Sequence, residues 1–409
     1  MKPYYDHAGI QILHGNALSV LRELPDESVN CCVTSPPYWG LRDYSTEPII
    51  WDGDSDCVHN WKLHIQPAAE GTLTLDGNSA LRAGHQGSTS ATMKPKISNF
   101  CSLCGAWKGS FGLEPNPELY IQHSVAIFCE VKRVLRPDGT LWVNIGDSYA
   151  REGGRTPGQP RHWDNREKNF DSDAVHARSL ASEIGLKQKD LIGIPWMLAF
   201  ALRADGWYLR SEIIWSKPSP MPESVLDRPT KAHEQIFLLS KKSRYFYNAE
   251  AIKEPSVMNP QNRFTARANH PKGDKGRPMH RRPEGGTGDT SKRLAEQAII
   301  RTGGLITGGV ENSSLGISAP ENRNKRSVWE VATKPFPEAH FAVYPEELIK
   351  PCVLAGCPAG GVVLDPFGGA MTTMLVAQNL QCKGIAIELN AEYIEIGIRR
   401  LSQEVFDFI

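Results

Sequence analysis

The sequence predicts an α/β fold, because two strand–turn units place polar side chains at the edge of a sheet. The first unit is the apolar run 31–33, which leads into the rigid turn Ser35-Pro36-Pro37-Tyr38. The second unit reads strand, glycine turn and helix over 361–373, and a further strand at 384–388 ends in an acid. Short apolar runs that end in such turns are typical of open parallel sheets, whose sites lie beyond the carboxyl ends of the strands.

The turn at 35–38 is predicted to present fixed hydrogen-bond acceptors. Each proline fixes its own φ and lacks an N–H, and Pro37 also restricts Pro36 to extended geometry. We therefore expect the carbonyls of Ser35 and Pro36 to point outward, beside the serine hydroxyl and the ring of Tyr38. Such a site fits a planar group that carries an –NH2. Ordinary turns and proline-rich ligands contain the same residues, so the motif by itself leaves both interpretations open.

The second unit has the layout of half a nucleotide-cofactor site. Gly368 and Gly369 allow the backbone to approach a ligand closely after the first strand. Glu388, at the end of the next strand, can accept hydrogen bonds from ribose hydroxyls. Because the chain has no Gly-x-Gly-x-x-Gly motif, a dinucleotide is not favoured.

Together the two motifs resemble those of the amino-group DNA methyltransferases, which use S-adenosylmethionine. In that family a Ser/Asn/Asp-Pro-Pro-Tyr motif holds the target amine, and an Asp-Pro-Phe-x-Gly-Ser-Gly-Thr-Thr loop holds the cofactor. The catalytic motif comes first here and the cofactor motif last, an order similar to that of the circularly permuted β group. The resemblance extends over 8–50, 113–150, 190–250 and 327–405, and it implies a Rossmann-like, circularly permuted methyltransferase sheet.

The resemblance also implies two sets of site residues. The catalytic set contains Ser35, Pro36, Pro37 and Tyr38. The cofactor set contains Asn16, Asp365, Pro366, Phe367, Gly368, Gly369, Thr372 and Glu388. Asn16 replaces a common aspartate that meets the adenine amine, and we expect its side-chain carbonyl to accept instead. Ala370 and Met371 replace Ser and Gly of the loop, so we expect weaker cofactor binding on an unchanged fold.

The implied reaction is methyl transfer from S-adenosylmethionine to an exocyclic amine of a base flipped out of double-stranded DNA. Serine before Pro-Pro-Tyr leans toward cytosine N4 in the family, and adenine N6 is the alternative. A non-catalytic DNA-binding protein derived from a methyltransferase is the alternative of another class. A release-factor-type protein methyltransferase also uses Pro-Pro-Tyr, but usually with the cofactor motif first, so the motif order argues against it.

The segment 51–112 interrupts the α/β pattern and contains a candidate zinc site. Cys101-Ser102-Leu103-Cys104 has the spacing of half a structural zinc site, and Cys57-Val58-His59 can supply the other two ligands of a Cys3His shell. A small insertion buries little apolar area, so a metal adds stability that its core lacks. The alternative is a pair of exposed thiols near an unrelated histidine. His64 and His85 are lesser ligand candidates.

Residues 116–150 return to the α/β pattern. Apolar spacing predicts a helix that is broken at Arg136-Pro137-Asp138-Gly139, and the strand 140–145 follows. Asp147 and Tyr149 come directly after that strand. They either face the active-site cleft, as the resemblance implies, or cap the end of the strand.

Residues 190–250 continue the fold after a loop at 151–189, which is rich in Gly, Arg and Asp and is predicted to be mobile. The expected elements are a helix around 195–200, a strand at 209–215 and a strand pair at 235–240 and 245–247. Trp215 and Lys217 belong to a segment similar to the family's Trp-x-Lys-Pro, so we expect them near the flipped base.

Residues 251–326 contain the basic region of a chain without net charge. Between 261 and 301 the sequence has ten Lys or Arg and four Asp or Glu, with few apolar residues. Phosphate contacts need such a patch, and arginines can also read guanine edges. We interpret the region as the target-recognition region, because β-group enzymes resemble one another in carrying one between the two catalytic halves. A disordered linker has the same composition and is the alternative.

Composition sets the expected compartment. The 409 residues carry 46 basic and 46 acidic side chains, so whole-chain charge does not indicate a polyanion partner. No apolar run is long enough to cross a bilayer, and the N-terminus lacks a signal pattern. Nine cysteines, an odd number, fit reduced core thiols rather than a disulfide framework. We expect a cytoplasmic protein of a prokaryotic or phage-infected cell, with DNA as partner and a cognate restriction endonuclease as a candidate partner.

These observations divide the chain into five parts. The methyltransferase domain is interrupted twice, first by the candidate zinc-binding insertion and then by the basic region. The parts are the catalytic half at 1–50, the insertion at 51–112, the continued methyltransferase domain at 113–250, the target-recognition region at 251–326 and the cofactor-binding half at 327–409.

Overall fold

The computed structural model describes residues 2–41, 46–61, 63–64, 96–97, 99–150, 186–256, 322–334 and 343–403. The strands within these ranges are β1 (Tyr5–His7), β2 (Ile10–His14), β3 (Val29–Thr34), β4 (Ile49–Trp51), β5 (Leu63–His64), β6 (Lys96–Ile97), β7 (Trp107–Gly109), β8 (Leu135–Ile145), β9 (Tyr208–Ser216), β10 (His233–Ser240), β11 (Glu254–Pro255), β12 (Asn322–Arg323), β13 (Val328–Glu330), β14 (Val362–Asp365) and β15 (Lys383–Glu388). The α-helices are α1 (Ala17–Glu23), α2 (Pro117–Val134), α3 (Ile194–Ala204), α4 (Glu346–Gly356), α5 (Thr372–Asn379) and α6 (Ala391–Gln403).

A nine-stranded mixed sheet has the order β1-β2-β15-β14-β3-β8-β10-β9-β13. The strands from β2 to β8 in this order are parallel, and β1 joins them antiparallel at one edge. β10 pairs antiparallel with both β8 and β9, and β13 adds a parallel strand at the other edge. Because parallel strands end at the same edge, the carboxyl ends of β3, β14 and β15 lie side by side. The predicted α/β class is confirmed.

Two hydrophobic cores cover the two faces of this sheet. Successive side chains of a strand point to opposite faces, so Cys31 joins the core formed with α4, α5 and α6, whereas Cys32 joins the core formed with α1, α2 and α3. Ile12 and Leu13 divide between the cores in the same way. Burial raises the pKa of the Cys31 thiol to about 12. The continuous apolar sequence of β3 thus reflects a strand buried on both faces.

Two predicted elements differ from the observed ones. β8 begins at Leu135 rather than at 140, because Arg136–Gly139 form an irregularity within the strand: Val29 pairs with Leu135, and Cys31 pairs with Thr140. The prediction of a strand at 245–247 is wrong. Phe246 instead donates its N–H to the Asp138 carbonyl at 2.9 Å, and β10 pairs with β9.

The chain divides into two compact units, Met1–Ile252 with Arg326–Ile409, and Lys253–Lys325. In the second unit the structure describes the strand pair of β11 and β12, where Arg323 Nε donates to Glu254 Oε1 at 2.9 Å. Residues 257–321 of the basic region and 151–185 of the loop lie outside the described residues. Among the helices that the structure describes, none is long and apolar enough to cross a membrane.

Candidate active site

A cavity of about 520 Å³ lies where the carboxyl ends of β3, β14 and β15 meet. The whole predicted catalytic set lines it, namely Ser35, Pro36, Pro37 and Tyr38. Most of the predicted cofactor set also lines it, namely Asn16, Pro366, Phe367, Gly368, Gly369, Thr372 and Glu388. The fold therefore brings the first and last motifs of the chain to the border of one space.

Asp365 belongs to the predicted cofactor set but is 1% exposed and does not line the cavity. Its Oδ1 accepts from the Thr34 hydroxyl at 2.6 Å and from the Phe367 N–H at 3.1 Å. Its Oδ2 accepts from the hydroxyls of Thr373 and Tyr344 at 2.7 and 2.9 Å. Because four protein donors contact the two oxygens, Asp365 anchors the segments that form the site. Its place in the cofactor set stays a prediction.

The protonation of this anchor depends on burial and on its donors. Burial raises the pKa of the Asp365 carboxyl, while the hydroxyls of Thr34 and Thr373 act in the opposite direction. Burial, followed by the negative charge of Asp365, raises the pKa of the Tyr344 hydroxyl well above its usual value. The tyrosine therefore stays protonated and serves as a donor to the carboxylate.

The loop after β14 approaches Glu388 through its backbone. Glu388 accepts from the Gly369 N–H through Oε2 and from the Asn390 N–H through Oε1, each at 2.8 Å. Met371 has a φ of +60°, so this position needs the left-handed conformation for which the family pattern has glycine. A non-glycine residue costs about 1 kcal/mol there. The Met371 side chain is fully buried and packs against Gly397. If Gly397 carried a Cβ, that atom would lie only 2.1 Å from Met371 Cγ.

Asn16 lines the cavity but is also the N-cap of α1. Its Oδ1 accepts from the N–H groups of Leu18 and Ser19 at 3.0 and 3.2 Å. A side-chain carbonyl has two lone pairs, and the cap uses both. The two cap contacts compete with the predicted contact between this oxygen and the cofactor, which stays a prediction.

The catalytic turn is held from behind by neighbouring elements. Tyr120, on α2, donates its hydroxyl to the Pro37 carbonyl at 2.9 Å. The Gly40 N–H donates to the Gly112 carbonyl at 2.9 Å. At the cavity, the Ser35 hydroxyl donates to the Tyr38 hydroxyl oxygen at 3.4 Å. These contacts fix the backbone of the turn while its polar tip borders the cavity.

Glu234 is a cavity residue that the sequence reasoning missed. It accepts from the Tyr38 hydroxyl at 2.7 Å and from Asn144 Nδ2 at 3.2 Å, and it forms an ion pair with Lys217. Lys217 Nζ lies 4.2 Å from the centre of the Trp215 ring, and both residues line the cavity as predicted. Because β10 is antiparallel to β8, its first residues lie at the edge where the parallel strands end. The polar start of an otherwise apolar strand was the available signal.

Asp147 and Tyr149 have structural roles. The Asp147 carboxylate accepts from the N–H groups of Gly193 and Ile194 at 3.0 and 3.1 Å, at the start of α3. The Arg228 guanidinium lies 3.8 Å from the centre of the Tyr149 ring. Neither Asp147 nor Tyr149 lines the cavity, so of the two alternatives left open by the sequence, the structure favours the structural one.

The four predicted zinc ligands lie together, outside the cavity lining. Cys57 Sγ is 3.9 Å from Cys101 Sγ, and Cys104 Sγ is 3.4 Å from His59 Nδ1. All four ligand atoms lie within 4.8 Å of one another. The lesser candidates are not placed: the side chain of His64 and all of His85 lie outside the described residues.

Comparisons with known proteins agree with this site. The family model of the N6_N4_Mtase DNA methylases matches residues 29–399. Type II methyltransferase M.Cfr9I of Citrobacter freundii is 37% identical over 398 residues, which cover 97% of this chain and 89% of that protein. Type II methyltransferase M.SmaI of Serratia marcescens is 36% identical over 391 residues, which cover 96% of this chain and 90% of that protein. The solved structure of the PvuII DNA methyltransferase (cytosine-N4-specific) has a TM-score of 0.51 at 14% identity and covers 99% of this chain and 93% of that chain, which shows a shared fold.

The fold and site are thus those of a DNA amino-methyltransferase. The chain belongs to the N6_N4_Mtase family of DNA methylases. It is an S-adenosylmethionine-dependent enzyme that acts on DNA, as the sequence predicted. The predicted methyltransferase fold is confirmed, while the circular permutation stays a prediction.

Replacing the anchor carboxylate by an amide is expected to destabilise the fold. In Asp365→Asn an NH2 group replaces one oxygen, so two of the four contacts lose their acceptor and face a donor instead. The free energy of unfolding should therefore fall by about 1–3 kcal/mol. Urea unfolding measures the loss. Asp138→Asn is the matched control, since Asp138 forms an exposed ion pair with Arg136 at 3.7 Å. Equal stability of the two variants would contradict the role of Asp365.

Proposed function

We propose that the protein methylates N4 of cytosine within a specific sequence of double-stranded DNA. The observation that supports this base is Ser35, whose hydroxyl borders the cavity beside the Tyr38 hydroxyl. The names of similar proteins include both target bases. The PvuII enzyme is named as cytosine-N4-specific. YhdJ of Escherichia coli, which is 48% identical over 64 residues, is named a DNA adenine methyltransferase. The serine before Pro-Pro-Tyr leans toward cytosine in the family and therefore supports cytosine N4, with adenine N6 as the alternative.

We assign the acceptance of both amine hydrogens to the catalytic turn, through Ser35 and the Pro36 carbonyl. The lone pair of an exocyclic amine is conjugated with its ring and is therefore a poor nucleophile. Acceptors on both N–H bonds draw the nitrogen toward sp3 geometry and localise that lone pair. S-adenosylmethionine supplies the electrophilic methyl group. Since the amine proton becomes acidic only as the new bond forms, the turn contributes position and electrostatics rather than a strong base.

Tyr38 is proposed to stack on the flipped base. Its ring packs on the backbone at the end of β8, where a Cβ at Gly146 would lie 2.6 Å from its Cε2. Its hydroxyl donates to Glu234, so the ring has a fixed orientation before the base arrives. Flipping a base costs a few kcal/mol, and stacking on an oriented ring offsets part of that cost. Glu234 is therefore a positioning residue, which acts through Tyr38 and Lys217.

The cavity fits the cofactor of the family. A Cβ at Gly369 would meet only the Phe367 carbonyl oxygen, at 3.9 Å, so the backbone there is open to a ligand. Glu388 at the end of β15 provides carboxylate acceptors on the same side. Burial raises the pKa of Glu388, and the N–H groups of Asn390 and Gly369 counteract part of that rise. We propose that Glu388 accepts from the ribose hydroxyls and that Pro366, Phe367 and Thr372 line the cofactor pocket.

We propose that residues 251–326 recognise the DNA sequence, within the five-part division predicted above. The excess of basic residues between 261 and 301 supports this, because phosphate contacts need positive charge. The similar proteins are named Type II methyltransferases and come from bacteria, which supports a cytoplasmic enzyme with a cognate restriction endonuclease.

Product analysis tests the base. DNA from cells that express the protein should contain N4-methylcytosine in one short sequence, detected by mass spectrometry of nucleosides and by sequencing. The Ser35→Ala, Tyr38→Ala double variant is the control and should give no modified base. N6-methyladenine in place of N4-methylcytosine would overturn the proposed base. Unmodified DNA together with intact cofactor binding would overturn the proposed reaction on DNA.

Glu234→Gln tests the positioning network. We expect kcat to fall by about 10–100-fold, since a small misplacement of a reacting group costs this much, while the affinity for S-adenosylmethionine stays unchanged. Steady-state kinetics and calorimetry provide the two measurements. Glu223→Gln is the matched control, because Glu223 pairs with Arg228 away from the cavity. Similar kcat values for both variants would show that Glu234 does not position Tyr38.

The raised pKa of Glu388 predicts a pH-dependent affinity for the cofactor. An ordinary glutamate takes up its proton near pH 4.3, and the buried Glu388 does so at higher pH. The protonated form has lost the negative charge that accepts hydrogen bonds from ribose, so the affinity for the cofactor should fall on acidification. This fall should begin at a higher pH than that at which an ordinary glutamate is protonated. Calorimetry over a pH series measures this. Glu388→Gln should bind more weakly with a flatter pH profile, and an unchanged profile in this variant would contradict the assignment.

A further inference from the structure

The cluster formed by Cys57, His59, Cys101 and Cys104, called here the Cys3His cluster, has the dimensions of a tetrahedral metal site. A tetrahedral Zn²⁺ with Zn–S of about 2.3 Å and Zn–N of about 2.1 Å places two sulfur ligands about 3.8 Å apart and a sulfur and a nitrogen about 3.6 Å apart. The corresponding distances are 3.9 Å between Cys57 and Cys101 and 3.4 Å between Cys104 and His59. The four side chains thus already converge on one point.

We propose that the Cys3His cluster binds a structural Zn²⁺ and that this metal holds one wall of the active-site cavity in place. The proposal goes beyond the methyl-transfer reaction, and the metal site does not depend on which base is methylated. All four positions of a tetrahedral shell are filled by protein ligands, so no position is open for a substrate or water. None of the four residues lines the catalytic cavity, which also indicates a structural metal.

Backbone contacts around the cluster prepare it for a charged thiolate. The N–H groups of Leu103 and Asn60 each lie 3.4 Å from Cys101 Sγ and donate to it. The Gly105 N–H donates to the Cys101 carbonyl at 3.0 Å, and Gly105 has a φ of +76°, which closes a tight turn at the two cysteines. Donors aimed at a sulfur stabilise the negative form that binds metal.

The segments that carry the ligands have little core of their own. They are joined by the three-residue strands β4 and β7, and Val58 and Leu103 beside the ligands are 87% and 67% exposed. Such small elements bury too little apolar surface to fix four side chains around one point without another source of stability. A bound metal supplies it, because the free energy of binding adds to the free energy of folding.

The cluster is hydrogen-bonded next to the strand pair of β4 and β7. The Cys101 N–H donates to the carbonyl of Ala106, the residue before β7, at 2.7 Å. β4 pairs with β7 so that Trp51 lies opposite Trp107. Both rings stack on His123 of α2, with ring centres 4.5 and 5.5 Å away. The position of the cluster therefore sets the position of two buried tryptophans.

Phe111 transmits this position to the catalytic cavity. Its ring lies 5.6 Å from Trp51 on one side and stacks on Phe367 of the cofactor loop at 5.6 Å and on Tyr120 at 5.2 Å. Tyr120 also donates its hydroxyl to the Pro37 carbonyl of the catalytic turn. Phe111 and Trp51 line the cavity themselves. Release of the metal should thus loosen a wall that touches both the catalytic and the cofactor motifs.

The metal content of the purified enzyme tests the site. The full chain, prepared without a histidine tag and without added metal, should contain one zinc per chain by inductively coupled plasma mass spectrometry. Cys101→Ser and Cys104→Ser should lose the zinc. Cys129→Ser is the matched control, because Cys129 is an exposed thiol on α2 outside the cluster, and it should keep the zinc. A folded, cofactor-binding wild-type enzyme without a stoichiometric metal would overturn the proposal.

Reversible removal of the metal tests the link to the active site and does not depend on the folding of variants. A strong chelator, which leaves thiols unmodified, is used to remove zinc from the wild-type enzyme, and circular dichroism checks that the large sheet persists. The affinity for S-adenosylmethionine, measured by calorimetry, should fall by about tenfold or more and return when zinc is restored. Unchanged affinity in the zinc-free enzyme would show that the metal does not support the cavity wall.

Discussion

The buried carboxylate of Asp365 is the interaction on which the rest of the site depends. It accepts from Thr34, the residue before the catalytic Ser35, and from the Phe367 N–H of the cofactor loop. Thr34 and Asp365 are 331 residues apart in the chain, so this contact joins the two motifs. A buried carboxylate is costly unless hydrogen bonds satisfy it. The hydroxyls of Thr373 and Tyr344 complete that set.

A consequence of this arrangement is a separation between residues that hold the site and residues that face it. Buried or backbone partners fix the catalytic turn from behind, as the Tyr120 hydroxyl does at the Pro37 carbonyl. The polar atoms that remain at the strand ends then border the cavity in fixed positions, with Tyr38 held by Glu234. The proposed methyl transfer, which uses no strong base, depends on such preorganisation because position and electrostatics lower its barrier.

The insertion after the catalytic turn forms part of the wall of the active-site cavity, through Trp51 and Phe111. Phe111 stacks on Tyr120 of α2 and on Phe367 of the cofactor loop. The Gly112 carbonyl accepts from the N–H of Gly40, which follows the catalytic turn. Aromatic stacking contributes about 0.5–1.5 kcal/mol per pair beyond area burial. The zinc proposed at the Cys3His cluster would hold the described segments of this insertion in place.

The sequence by itself determined the features that depend on neighbours along the chain. Two prolines shape the catalytic turn, Gly368 and Gly369 open the loop after β14, and the Cys-x-x-Cys spacing indicates half a metal site. Each of these is a property of a few consecutive residues. The alternation of strands, turns and helices predicted the α/β class for the same reason.

Only the tertiary structure decided which polar groups already have hydrogen-bond partners within the protein: the Asn16 oxygen caps α1, and the Asp365 carboxylate anchors four segments. It alone revealed Glu234, since the direction of β10 in the sheet determines which end of that strand reaches the site. Hydrogen-bond partners that lie hundreds of residues away, and the direction of a strand, are set by the packing of the whole sheet and not by local sequence.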